Sequence, residues 1–131
     1  MGMLTIPGDP AHLHETREFV ANAVEYATHD VDTAVLLTSE LVTNSLQHSN
    51  SRHPGGTVTI SVLAIPDGVV IEVIDDGGAT VPAATAQAGE PDLLEGGRGL
   101  RLVEQLATRW SYHCDAAGTA TWFELTGEPH E

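Results

Sequence analysis

Three short segments hold the residues with the most chemical reach. The first is Glu40-Leu41-Val42-Thr43-Asn44-Ser45-Leu46-Gln47-His48. Its carboxylate, amide and imidazole stand four apart, so on a helix they advance only about 40° per step and share one stripe. Glu40, Asn44 and His48 then read as a base, a metal ligand and a ligand contact, although the same spacing also fits a solvated polar face. The second segment is Asp75-Asp76-Gly77-Gly78-Ala79, directly after an apolar run. A carboxylate at the mouth of a strand, followed by glycines that admit a ligand to the backbone, suits hydrogen bonding to an amino group. Asp-Gly is equally a common turn. The third is Glu95-Gly96-Gly97-Arg98-Gly99-Leu100-Arg101. Glycines opening a helix present backbone N–H groups and the positive end of the dipole, a setting for an anion, and two arginines add charge. The plainer reading is a loop end with a helix-capping glycine.

The elements that must position these segments follow from hydrophobic period. Residues 3–7 fit a short edge strand ended by Pro7. Asp9-Pro10 has the form of a helix start, with a capping carboxylate followed by proline at the first helical position. Leu13, Val20, Val24 and Ala27 recur at helical spacing as far as Tyr26–Thr28. Asp30 or Asp32 opens a second helix with Val35, Leu37, Leu41, Val42 and Leu46 as its apolar side, ending near His48–Ser51. From Thr57 the period becomes two, and Val58, Ile60 and Val62, then Val69, Ile71 and Val73, predict a hairpin around Pro66-Asp67-Gly68. Residues 76–99 read as a long loop, and such loops inside a domain are usually functional. A third helix is predicted over Arg98–Thr108, and a final hairpin joins Trp110–Cys114 to Thr119–Leu125. The expectation is one α+β domain over residues 1–131: a two-layer sandwich with a mixed, mostly antiparallel sheet and three helices on one face.

Composition removes several function classes. The chain has 131 residues, 19 acidic against 5 basic, and a formal net charge of −14. All five basic residues are arginine. Nucleic acid and anionic lipid both require a basic surface, so neither is an expected partner. Without lysine there is no Walker A loop and no Schiff-base chemistry. No run approaches the ~18 apolar residues of a membrane span. The start lacks the pattern of a signal peptide, and a lone cysteine, Cys114, forms no internal disulfide, so a cytoplasmic location is expected. Cys114 is expected to be buried, Trp110 and Trp122 to be core and hairpin partners, and His12 and His14, two apart, to splay on their helix rather than share a metal.

Taken together, in this order, the three segments resemble the GHKL or Bergerat-fold ATP-binding domain of histidine kinases, type II topoisomerases and MutL-type proteins. Glu-x-x-x-Asn looks like the N box, Asp-x-Gly-x-Ala the G1 box, and Gly-Gly-Arg-Gly-Leu the G2 box, with Gly118-Thr119 similar to the start of the family's last strand. Ser-Glu-Leu-Val-Thr-Asn and the ending Thr-Trp-Phe-Glu-Leu look most like bacterial anti-sigma-factor serine kinases. The resemblance implies ATP and Mg²⁺ as cofactors. It implies Glu40 as general base, Asn44 as the one protein ligand of Mg²⁺, and Asp75 as acceptor for the adenine amino group with Gly77 close to the base. Thr119 would support Asp75 through water, and His48 would line the nucleotide site. Gly97, Arg98, Gly99 and Leu100 would cradle phosphates at the end of an ATP lid spanning about 77–97.

Implied partners are a sigma factor and a STAS-type anti-sigma-factor antagonist, the latter phosphorylated on serine, with a homodimer contact through the first helix. Two positions depart from the pattern. Ala79 replaces a glycine, and Gln47 stands where many members have a basic residue. They keep a second reading open, a nucleotide-binding partner-switching module with little or no kinase activity.

Overall fold

The change of period at Thr57 marks where helical sequence gives way to strands. The computed structural model describes residues 2–27, 30–78, 81–83 and 97–126. In it, β2 (Thr57–Ile65) and β3 (Gly68–Asp75) form the expected hairpin. β1 (Gly2–Pro7) pairs along the outer side of β2 as an edge strand. On the other side β7 (Gly118–Thr126) pairs with β3, and β6 (Arg109–Asp115) closes the far edge. The sheet order is β1-β2-β3-β7-β6, and every pairing in it is antiparallel. The parallel component lies apart, in a two-stranded ladder of β4 (Val81–Ala83) and β5 (Gly97–Gly99).

Alternation along the strands sends one set of side chains to a single face. Val58, Ile60 and Val62, then Val69, Ile71 and Val73, then Phe123 and Leu125, are all buried there. The helices α1 (Leu13–Val24), α2 (Val31–His48) and α3 (Arg101–Leu106) add Val20, Val24, Leu37, Leu41, Val42, Leu46 and Val103 to the same cluster. All three helices therefore cover one face, the expected two-layer α+β arrangement. Each buried leucine or valine contributes about 2 kcal/mol through removal from water.

Aspartate caps mark the 3₁₀ turn before α1 and the start of α2. Asp9 accepts a hydrogen bond from the Ala11 N–H at 3.0 Å, but the turn it opens is a 3₁₀ turn over Pro10–His12 that runs into α1. α1 stops at Val24, short of Tyr26–Thr28, because the following turn closes with Ala27 N–H on the Val24 carbonyl and leaves Tyr26 exposed. Asp30 caps α2 by accepting from the Thr33 N–H. At its other end the Ser49 N–H and hydroxyl both donate to the Ser45 carbonyl, at 3.0 and 2.7 Å.

Several expectations are corrected. The third helix is shorter than Arg98–Thr108: Gly97–Gly99 forms the strand β5, and helix begins only at Arg101. Glycine disfavours helix, and pairing with β4 offers its backbone another partner. Cys114 is exposed, because it lies on the edge strand β6. Trp110 packs against the core, whereas Trp122 points to the opposite face, where it lines a groove of about 370 Å³ with Val70, Glu72 and the Arg109–Glu124 ion pair. Among the described residues no helix is long and apolar enough to cross a membrane.

Candidate functional site

Asp75 is the last residue of β3 and continues the buried series Ile71, Val73, so its carboxylate faces the helices. It is 3% exposed. Both oxygens are engaged: Oδ1 accepts from the Gly77 N–H at 2.7 Å, and Oδ2 accepts from the Ser45 hydroxyl of α2 at 2.6 Å. Thr119 stands opposite Asp75 in the β3–β7 ladder, and its hydroxyl lies 3.3 Å from the Cys114 sulfur. Two glycines make this turn possible. Gly77 has φ +77°, and a Cβ on Gly118 would lie 2.0 Å from the Asp75 carbonyl oxygen. The next residue has a different task. The Asp76 carboxylate accepts from the Thr57 N–H, its own N–H donates to the Ser51 hydroxyl, and that hydroxyl donates to the Thr57 carbonyl. Asp76 ties the end of β3 to the start of β2.

The stripe on α2 is more than a solvated face. Asn44 is buried, and Glu40 and His48 are half-buried. Burial pushes the Glu40 carboxyl above its ordinary range, which makes it a stronger base once ionised. The chain after α2 is fastened to the Asp75 turn, since the Asn50 N–H donates to the Gly77 carbonyl at 2.5 Å. Gly78 packs so closely that a Cβ would stand 2.9 Å from the His48 carbonyl oxygen. Gln47 is exposed.

The third segment is brought to the same helix, because β5 contacts α2. Its backbone is in register with Val81, Pro82 and Ala83 rather than opening a helix. Leu100 puts its side chain into the core, which leaves only its backbone for a ligand. Arg101 is exposed as the first residue of α3. The Arg98 side chain, Ala79, Glu95, Gly96 and most of the expected lid over 77–97 lie outside the described residues.

Ser45, which the motif reading gave no role, is the residue of α2 that meets the Asp75 carboxylate. The four-residue stripe skips it, yet a hydroxyl set among Leu41, Val42 and Leu46 must find a buried partner, and that was the available signal. The histidines set aside at the first helix are accounted for by neighbouring carboxylates: His12 pairs with Glu15 and His14 with Glu18. Among the described residues no group of three or more His, Cys, Asp or Glu side chains could hold a metal. A single carboxamide such as Asn44 beside phosphate oxygens and water is a different arrangement and suits Mg²⁺, which favours hard oxygen ligands and keeps several waters.

The sequence profile of the histidine kinase-like ATPase domain matches residues 6–125. The chain belongs to that family. The match takes in α2, the Asp75 turn, Gly97–Gly99 and Thr119 alike. This ATPase domain is similar in fold to the crystal structure of the RsbU and RsbW domains of Rv1364c from Mycobacterium tuberculosis. The TM-score is 0.63 at 21% identity, covering 96% of this chain and 32% of that one. It is also similar to the histidine kinase domain from the Erythrobacter litoralis EL346 blue-light activated histidine kinase, with TM-score 0.51 and 24% identity, covering 92% and 61% of the two chains. The ATPase domain thus spans about a third of the first structure and about three-fifths of the second. Comparison with curated protein sequences gives no match.

Proposed function

We propose that this ATPase domain binds Mg-ATP and transfers the γ-phosphoryl group to a serine hydroxyl of a small protein partner. By resemblance that partner is a STAS-type anti-sigma-factor antagonist, and the domain also binds a sigma factor. The observation that carries the reading is the buried Asp75 carboxylate at the mouth of β3, hydrogen-bonded to the very helix that bears Glu40 and Asn44. A carboxylate accepts and does not donate, so it matches the adenine amino group. In this reading Gly77 admits the base to the backbone, Thr119 supports Asp75, and His48 lines the site. Gly97, Arg98 and Gly99 face the phosphates.

Phosphoryl transfer asks for positioning and charge stabilisation more than covalent help from the protein. Asn44 would hold Mg²⁺, which neutralises phosphate charge when bound. Glu40 takes the proton of the serine hydroxyl as the oxygen bonds to the γ-phosphorus and the bond to the ADP oxygen breaks. The raised pKa of Glu40 supports this role, since a base closer to the working pH transfers protons more effectively.

The test is transfer of labelled γ-phosphate to a genuine partner, alongside nucleotide titration calorimetry. Glu40→Ala should lower transfer by about a thousandfold and spare ATP binding; transfer at the normal rate would remove Glu40 from the mechanism. Gln47, exposed and uncharged, favours the second reading of a partner-switching module. That reading predicts partner binding with no phosphoserine formed.

A further inference from the structure

Ser45 is 2% exposed and lies one residue past Asn44, on the side of α2 that meets the sheet. Its hydroxyl donates to Asp75 Oδ2 across 30 residues of chain, at 2.6 Å. The other oxygen, Oδ1, receives the Gly77 N–H at 2.7 Å. A carboxylate attached through one rotatable bond would otherwise turn about that bond. With a donor on each oxygen, contributed by different elements, the plane of the Asp75 carboxylate is held. The backbone of the same residue is crowded by β7, where a Cβ on Gly118 would lie 2.0 Å from the Asp75 carbonyl oxygen.

We infer that Ser45 is a positioning residue for base recognition: it sets the orientation in which Asp75 selects a purine bearing a 6-amino group. This rests on the nucleotide reading above and deepens it. The physical reason is directional. An ionised carboxylate rewards a donor only along its lone pairs, and charge-assisted hydrogen bonds weaken steeply when misaligned. A held carboxylate therefore discriminates between a base that presents N–H groups at this position and one that presents hydrogen. A carboxylate free to turn would keep its charge but lose much of that discrimination. Ser45 need not touch the nucleotide to have this effect.

A merely structural role predicts something different, namely that losing the hydroxyl loosens the fold and weakens every nucleotide alike. The two are separated by titrating the full chain with Mg-ATP and with the Mg complex of purine riboside triphosphate, which lacks the 6-amino group. The wild type should prefer ATP by at least about tenfold, as expected for one charge-assisted hydrogen bond. In Ser45→Ala the preference should fall below about threefold, mainly through weaker ATP binding, while the affinity for the purine analogue changes by less than about twofold. Ser45→Cys, of similar size but a weaker donor, should fall between them, and it carries the test if the alanine variant does not fold. Equal losses for both nucleotides, or an undiminished preference for ATP in both variants, would overturn the inference alone. Failure of the wild type to bind either nucleotide would overturn the nucleotide reading and this inference with it.

Discussion

At one end of the candidate site, Asp75 is held by Ser45 and Gly77 inside a five-stranded antiparallel sheet. At the other, Gly97–Gly99 rests on a three-residue parallel ladder and leads into the six-residue helix α3. The first end is anchored by eight residues of paired β3 and β7 and by an 18-residue helix. Short parallel pairings contribute fewer and slightly weaker backbone bonds. In the proposed reading labour would be divided between the two: the base end would be preorganised by the core, while the phosphate end would rely on backbone groups of short elements. A rigid acceptor suits recognition of one base edge. Glycine backbone suits a triphosphate, whose charge is spread over many oxygens and whose contacts need no single fixed side chain.

Substitutions at each end should have different consequences. The largest effect is expected at the proposed general base: Glu40→Ala should lower phosphoryl transfer by about a thousandfold, measured with saturating Mg-ATP, with affinity for nucleotide unchanged. Next, Gly118→Ala would place a methyl group 2.0 Å from the Asp75 carbonyl oxygen, on a backbone with φ +149°. It should cost about 3 kcal/mol in urea unfolding and weaken ATP binding in parallel. Asp75→Asn should cost about 2 kcal/mol, because the amide nitrogen confronts donors that need an acceptor, and should weaken ATP by about a hundredfold in calorimetry. A loss of binding with no loss of stability would mean that the base end is not built into the fold as described. At the phosphate end Arg101→Ala, an exposed position, should weaken ATP no more than about threefold, fading with added salt and leaving the unfolding midpoint unmoved. A larger loss there would reverse the proposed division.

The smallest effect is in pH dependence. Burial raises the Glu40 carboxyl above its ordinary value. The general base works ionised, so transfer should fall on acidification through a pH above the usual glutamate range, and this limb should be visible in the pH–rate profile. Stability moves in the opposite sense. A carboxyl whose folded pKa is raised contributes stability that is present below its unfolded pKa and is lost as pH rises through the folded value. Glu40→Gln should therefore raise the unfolding temperature slightly at neutral pH, with the gain vanishing below the ordinary glutamate pKa. An unchanged midpoint at both pH values would show Glu40 to be fully solvated.

Much of the fold was legible because period is a local property. The switch to period two at Thr57 located the β2–β3 hairpin, and Asp30 located the start of α2. The family was legible in three motifs whose order and spacing are written in the chain. What failed to show had a common cause in non-local contact. Gly97–Gly99 reads as a helix opening until Val81–Ala83 arrives to pair with it. Cys114, read as buried, is exposed because only the sheet order makes β6 an edge. The motif points to Asp75 but not to the separate task of Asp76: strand alternation turns Asp75 toward the helices and leaves Asp76 to bind the start of β2.

Local sequence is enough for the β2–β3 hairpin, the start of α2, the acidic lysine-free character that leaves no Walker lysine, and the three motifs of the family. The packed fold adds the Ser45–Asp75 hydrogen bond, the burial of the carboxylate that the motif already singled out, and the close approach that keeps glycine at position 118. The physical reason is that a hydrogen bond between residues 45 and 75, or a steric limit between 75 and 118, exists only once separate segments are packed together. Spacing along a chain predicts which side chains share a helix face or a strand face. It does not predict which side chain on another element will meet them.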